Sequence, residues 1–513
     1  MLKKLALGFV IISLVSSCVT NSNVAIPNIS SSPGSVKPSN SVPSSSPEPS
    51  KSNIVPSNIP SASASPSSPT ITATPTPISS SVNQTQTKYN FSTSIDNTYI
   101  KISDKILTDS QKEANEISGL LTELNLTTPT IRLEQSIVDP EYKADRLSIN
   151  WKAYDDIFNS LKNKATEVII KVDYRNPITN TSIPTISKYI DFLNLFMERY
   201  SDYKMSWIFG QKINDPNYIT GGINKYVEAL KATSDTIKRR NASTKIYMGS
   251  LSQSEIFGSR NIKTLDDLLS FINLGADKYI DGFIFEIFSL DNQSIDTETA
   301  SPYKYTDYNL IKIYSNLITD FLKERGLDSK EKLLITGTYG GDLVEGISQT
   351  EDQQANDIFR RIIVAMAGGF SKIILPQIYD EKRSASSTFF KRIGILRDDS
   401  DSDKRKLAFW KYKFINARLK DASFVSTILS PLRNVELYLF ENKESQLYIV
   451  WNTDKNFFGT VDLNLPNNNA ATLYISPSDD SKAGVTIPVN TNNKYVFGFQ
   501  SYNLNPRILE IKK

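Results

Sequence analysis

From Thr128 onwards the chain alternates between two hydrophobic periods, and this alternation limits the fold more than any other feature. Seven runs are short and almost continuously apolar, as strands buried on both faces are: TPTIRLE (128–134), EVIIKVD (167–173), MSWIFGQ (205–211), KIYMGSL (245–251), IDGFIFEIF (280–288), KLLITGT (332–338) and SKIILPQ (371–377). Between them apolar positions recur at three and four, as at Tyr226, Ala229, Leu230 and Thr233. That spacing predicts helices over Trp151–Leu161, Ile186–Tyr200, Asn224–Arg240, Tyr308–Arg325 and Gln353–Ala367. An eighth strand is expected within Tyr89–Ser103, ahead of a helix at Ser110–Leu124. Strands that are each followed by a helix build a parallel sheet, and eight in about 340 residues predict a closed (β/α)8 TIM barrel. A doubly wound open sheet is the alternative.

After a helix at Arg405–Leu419 the period changes to two. The runs VELYLFE, QLYIVWN, GTVDLNL, ATLYISP, GVTIPVN, KYVFGFQ and RILEIKK are separated by turn clusters such as 466–469 and 476–482. They predict a small all-β antiparallel sandwich over 429–513, following a barrel over 89–428.

The N-terminal residues follow neither pattern. MLKKLALGFVIISLVSSC has two lysines, an apolar run from Leu5 to Val15, two serines and then Cys18, the layout of a secretory signal over 1–18. Its VSSC ending resembles the bacterial lipobox, which implies diacylation of Cys18 and an exported, lipid-anchored protein of the cell envelope. Residues 19–88 then hold half of the chain's 24 prolines, with serines between them and no aromatic side chain before Tyr89. Such a segment buries too little surface to offset the entropy of ordering, so a disordered tether is expected, reaching roughly 200 Å when extended.

Composition narrows the chemistry. The chain has no histidine, which excludes a Ser-His-Asp triad, an imidazole base and a His-bound zinc. Its one cysteine excludes an internal disulfide and an iron–sulfur cluster. With 58 basic and 55 acidic side chains, the balance is too near neutral to imply a nucleic-acid partner. No phosphate-binding glycine loop stands in the right context, and no cofactor or metal is expected. The run Asp398, Asp399, Asp401, Asp403 lacks the spacing of a calcium loop and reads as a turn before a helix.

A barrel followed by a sandwich resembles the clan A glycoside hydrolases, the retaining xylosidase, glucanase and iduronidase-like enzymes. The likeness runs from about residue 120 to the end of the chain and is carried by strand ends: IRLE in the second strand, SWIFGQK in the fourth, YIDGFIFEIF in the sixth, LLITGTYGG in the seventh. The resemblance implies an acid/base glutamate after an asparagine, in a W-x-x-x-N-E pattern. Here Trp207 is present, but the pair falls on Gln211 and Lys212. It implies a nucleophile in a T-E-x-G-like run, where this chain reads Thr336-Gly337-Thr338-Tyr339. At the His-x-Tyr position of the sixth strand stand Glu286-Ile287-Phe288. A glycine supplies no nucleophile and a lysine is no carboxylic acid, so both catalytic functions of the family are replaced.

The other polar strand ends keep two readings each. Arg132 suits a sugar hydroxyl, or pairs with Glu134 or Asp173. Glu286 and Asp173 end strands, where catalytic groups of barrels concentrate, and are the candidates for relocated catalysis. Asp215, Asp342 and Glu345 read as solvated loop charges. Trp207, Tyr339 and Tyr379 are candidates for stacking on sugar rings, with barrel packing equally open to Trp207, and Gln211, Thr338 and Gln377 are further candidates at the groove. Three functions stay open: a non-catalytic carbohydrate-binding lipoprotein on a glycosidase-like barrel, an active glycosidase with relocated carboxylates, and an adhesion or assembly protein.

Overall fold

A computed structural model describes residues 90–93, 110–135, 146, 149–172, 186–216, 218–219, 221–252, 256–257, 261–288, 307–338, 341–344, 347–380, 393–397, 404–453, 457–465, 470–478, 483–489, 494–499 and 505–513. Cys18, the signal sequence, the expected tether, Asp173, Tyr339, Glu345 and the aspartates at 398–403 lie outside the described residues.

Each expected barrel strand is present: β1 Asn90–Thr93, β2 Thr130–Leu133, β3 Val168–Val172, β4 Met205–Phe209, β5 Ile246–Met248, β6 Gly282–Phe288, β7 Glu331–Gly337 and β8 Lys372–Leu375. They pair in parallel in the order β1-β8-β7-β6-β5-β4-β3-β2. That cyclic order is the one a TIM barrel requires. Among the described residues β1 and β2 end the path without pairing, so the sheet is curled and TIM-like rather than hydrogen-bonded all the way round. The curl is visible in the packing, since Ile169, Ile208, Tyr247, Ile284, Leu333, Ile335 and Ile374, from six strands, meet in one cluster. On each strand the residues next to these face outward onto the helices, as period two demands.

Among the described residues eight α-helices accompany the strands: α1 Ser110–Glu123, α2 Lys152–Leu161, α3 Ile186–Arg199, α4 Gly222–Arg240, α5 Lys263–Asn273, α6 Asp307–Glu324, α7 Glu351–Ala367 and α8 Leu407–Leu419. Helix α7 starts with a capping box, in which the Gln353 N–H donates to Thr350 Oγ1 and the Thr350 N–H to Gln353 Oε1. It is buried on nearly every side from Gln354 to Met366, because it touches α6, α8 and the C-terminal sheet as well as β7.

The C-terminal strands are β9 Ser423–Ile428, β10 Val435–Glu441, β11 Ser445–Asn452, β12 Gly459–Asn464, β13 Ala471–Ile475, β14 Val485–Val489, β15 Lys494–Phe499 and β16 Arg507–Lys512. The first, SFVSTI, was expected to belong to the barrel segment; it instead opens an antiparallel sheet of order β9-β10-β11-β16-β13-β14. Strands β12 and β15 form a separate antiparallel pair. Alternation in β10 and β11 divides their side chains between two cores. Tyr438, Phe440, Leu447, Ile449 and Trp451 join the layer between sheet and helices of the barrel, while Leu437, Tyr448 and Val450 pack with Val461, Leu463, Phe497 and Phe499 of the pair.

Candidate functional site at the barrel mouth

In a parallel barrel the C-terminal strand ends carry the reactive side chains. Here Glu286 lies between Ile284 and Phe288 of the inner cluster, so period two turns its carboxyl into the barrel. It is 4% exposed and accepts a hydrogen bond from Ser250 Oγ at 2.5 Å. Ser250 Oγ in turn accepts the Lys212 N–H at 3.0 Å, so the strand-four turn, the segment after β5 and β6 are joined in one relay.

The strand-four turn has an unusual backbone. Gly210 has φ 93° and Lys212 φ 47°, the left-handed region that side chains seldom enter. Gly249 lies against this turn so closely that a Cβ would stand 2.5 Å from both the Phe209 carbonyl and Ile213 Cγ2. The turn is further held by Asn214, which donates to the Ser252 carbonyl at 3.1 Å and accepts its N–H at 2.8 Å. The Lys212 ammonium sits 5.3 Å from the centre of the Tyr218 ring, a cation–π contact within its own loop.

At the end of β7, Thr336 Oγ1 donates to the Ile287 carbonyl at 2.6 Å. The fully buried Arg361 of α7 braces this point, donating to Thr336 Oγ1 at 3.1 Å and pairing with Asp357 at 2.7 Å. A Cβ on Gly337 would meet Ile393 Cδ1 and Cγ1 at 3.0 Å and Pro376 Cδ at 3.1 Å. The volume in front of that position is therefore filled by the loop after β8.

The remaining candidates separate into two groups. Arg132 pairs with Glu134 at 2.8 Å, both partly exposed at the mouth, and Gln211 is half-buried beside Lys212. Lys171, opposite Arg132 in the ladder, is buried and on the same face as Ile169; it was missed although the period from Ile169 points to it. Trp207, by contrast, faces outward into the helix layer, edge-on to Phe196, because its neighbour Ile208 takes the inner side. It offers no ring to a sugar. Tyr379 is buried, with its hydroxyl on Glu116 Oε1 at 2.7 Å, so it is no platform either. Thr338 is fully buried with its carbonyl bound by Gln354 Nε2 at 2.9 Å, and the Gln377 amide is turned onto the Tyr379 carbonyl at 3.0 Å. Tyr379, Thr338 and Gln377 hold the exit of β7 and β8 rather than open onto the mouth.

Among the described residues, the strand ends bring Glu134 and Glu286 to the mouth, the first already paired with Arg132. Asp380, beyond β8, is buried in an ion pair with Lys406 at 2.7 Å. No group of three or more metal-ligating side chains and no helix long and apolar enough to cross a membrane occurs among them.

The fold has known counterparts. A family 39 glycoside hydrolase from the gut symbiont Bacteroides cellulosilyticus is similar at TM-score 0.58 and 14% identity, over 82% of this chain and 81% of that one. A GH30 endoxylanase from Clostridium papyrosolvens is similar at TM-score 0.54 and 12% identity, over 86% and 98%. A conserved exported protein from Bacteroides fragilis is similar at TM-score 0.59 and 10% identity, over 83% and 98%. No protein-family profile and no curated protein sequence matches the chain. The chain thus has a glycoside hydrolase-like fold, and at these identities the likeness concerns the fold alone.

Proposed function

We propose that the protein is a lipid-anchored lipoprotein of the bacterial cell envelope whose glycoside hydrolase-like barrel binds carbohydrate without hydrolysing it. The observation that carries this reading is the filled space at Gly337. Retaining hydrolysis needs an attacking carboxylate about 5–5.5 Å from the acid, and here the attacking position lacks the carboxylate, while any side chain there would have to push Ile393 aside by a few tenths of an ångström. Lys212 at the acid position points its ammonium at Tyr218, and Glu286 is held by Ser250. Binding is separable from catalysis, because groove shape and hydroxyl contacts do not depend on the attacking atom. Arg132, Gln211, Lys171 and Glu286 supply polar groups of the kind that fix a polyhydroxylated ligand. The glycosidase neighbours favour carbohydrate as the ligand class.

The test uses aryl glycosides and a glycan array together. The expected result is no measurable turnover, with retention of an oligosaccharide that Arg132→Ala or Gln211→Ala weakens at least tenfold. Turnover abolished by Glu286→Gln would replace this reading with relocated catalysis. Blank results in both assays would favour an adhesion or assembly role.

A further inference from the structure

We propose that Phe288 and Glu286, successive inward residues of β6, form the subsite that seats one uncharged pyranose ring of the bound carbohydrate. The proposal rests on the carbohydrate reading and adds to it the residues that hold the ring and the class of sugar they accept. Trp207 and Tyr379 turn away from the mouth, but Phe288 does not. Ile284 belongs to the inner cluster, so period two sets Ile284, Glu286 and Phe288 on the same inward face of β6. Phe288 packs against that cluster, ends the strand and stays partly exposed.

The next strand gives this ring its setting. In the β6–β7 ladder Phe288 is paired with Gly337, so the neighbouring inward position carries no side chain. Ile393 and Pro376 stand where a Cβ on Gly337 would point, so the surface beyond the ring is hydrocarbon. The face of an aromatic ring carries partial negative charge and attracts the polarised C–H bonds on one side of a pyranose. An aromatic ring beside a bare glycine suits that side of the sugar and offers nothing to its hydroxyls.

Glu286 meets the hydroxyls. Ser250 holds Oε1 from the β5 side, while Oε2 has neither a hydrogen-bond partner nor an ion pair among the described residues. Oε2 is not sealed from solvent. Successive inward residues of a strand stand about 6.6 Å apart, a distance that one pyranose covers when a hydroxyl at its edge points back along the strand. A carboxylate oxygen only accepts, so it has to be met by a donor. With no ammonium paired to it, Glu286 repels the carboxylate of a uronic acid. The hydrocarbon at Gly337 disfavours an amino sugar, because an ammonium set against it loses its hydration. A neutral ring satisfies both surfaces.

The experiment titrates the full chain, in detergent micelles, with hexasaccharides of xylose, glucose, mannose, galactose, galacturonate and glucosamine, and reads binding by calorimetry. At least one of the neutral hexasaccharides is expected to bind, with the galacturonate and glucosamine hexamers about tenfold weaker or more. Phe288→Leu keeps an apolar contact with the inner cluster and removes the aromatic face, so it should weaken the neutral ligand about tenfold, while Phe288→Tyr should keep the parent affinity. Glu286→Gln keeps the shape and should weaken it about tenfold or more, since a hydrogen bond to a charged acceptor is lost. Parent affinity in Phe288→Leu or in Glu286→Gln, equal weakening in Phe288→Leu and Phe288→Tyr, or preference for the galacturonate or glucosamine hexamer would overturn the proposal and leave the carbohydrate reading standing. If none of the hexasaccharides binds, that reading falls and the subsite with it.

Discussion

Gly337 shows how a single position can be closed to a function in two ways. It lacks a side chain, and Ile393 with Pro376 occupies the space a side chain would need. Alanine there forces Ile393 to give by a few tenths of an ångström, at a cost of about 1–3 kcal/mol, and glutamate should cost more because its carboxyl is driven against apolar carbon. Urea unfolding of Gly337→Ala and Gly337→Glu should rank them in that order, and Lys212→Glu with Gly337→Glu should gain no glycosidase activity. A gain would mean that the loop after β8 yields readily. At the other end of β7, Lys332 donates to Thr319 Oγ1 at 2.6 Å and to the Gly368 carbonyl ending α7 at 2.9 Å. Desolvation lowers its pKa to about 8, below the 10.5 of an unfolded lysine. Between those values the unfolded chain binds more protons than the folded one, so this group makes stability rise with pH from about 8. Above pH 10 the buried tyrosines work the opposite way, since burial raises Tyr200, Tyr247 and Tyr412 in the folded state. Unfolding midpoints between pH 8 and 9.5 should therefore climb less steeply in Lys332→Met than in the parent chain.

The strands were legible because a parallel sheet covered on both faces writes itself as uninterrupted apolar runs, and IIKV, WIF, FIFEIF and LLIT all became strand cores. Strand β9 was not, because SFVSTI mixes serine and threonine with apolar residues and lies exposed at a sheet edge, without the signal of burial. The mouth was only half legible. Glu286 stood out only as a polar strand end, and the partners that decide its role, Ser250 and the Ile393 plug, come from loops whose position no local pattern encodes. Trp207 failed as a sugar platform for the same reason that Ile208 succeeded as core, a shift of one residue along a strand. The loop carrying Ile393 is held by an element-level lock. Asp380 Oδ1 accepts from Lys406 Nζ at 2.7 Å and from the Gly394 N–H at 3.0 Å, and Lys406 also donates to the Gly394 carbonyl at 3.0 Å. Both charges are almost fully buried. Asp380→Ala should destabilise the fold by about 3–5 kcal/mol, because it leaves the lysine charge without its counter-ion in an apolar setting. Replacing the pair by Asp380→Leu with Lys406→Met should recover most of that loss in the same denaturant titration.

At the scale of the molecule, the barrel and the C-terminal sheets share apolar and polar contacts that tie their stabilities together. Tyr438, Phe440, Leu447, Ile449, Trp451 and Ile508 belong to the core that also holds Phe409, Phe414 and Ile415 of α8 and Ile362 of α7. Polar contacts fix the register of this interface. The Lys411 ammonium, fully buried in α8, donates to Asn356 Oδ1 at 2.5 Å in α7 and to Asn505 Oδ1 at 2.9 Å ahead of β16. Arg360 Nη2 reaches the Asn452 carbonyl at the end of β11 at 3.2 Å, and Arg418 lies 4.2 Å over the Tyr474 ring. A buried ammonium whose acceptors come from both parts gains its compensation only when both are folded, so neither part should survive the other's loss. Thermal unfolding should accordingly be a single transition by near-ultraviolet dichroism of Trp451 and by calorimetry. Limited proteolysis should trim residues before the barrel without releasing a stable fragment by cutting near Ser430. Lys411→Met keeps the volume while removing the shared charge, and it should split the transition or broaden it while leaving each part's secondary structure intact. A barrel stable after removal of residues 423–513 would show that the sheets are an appended module and that α7 and α8 bury their outer faces without them.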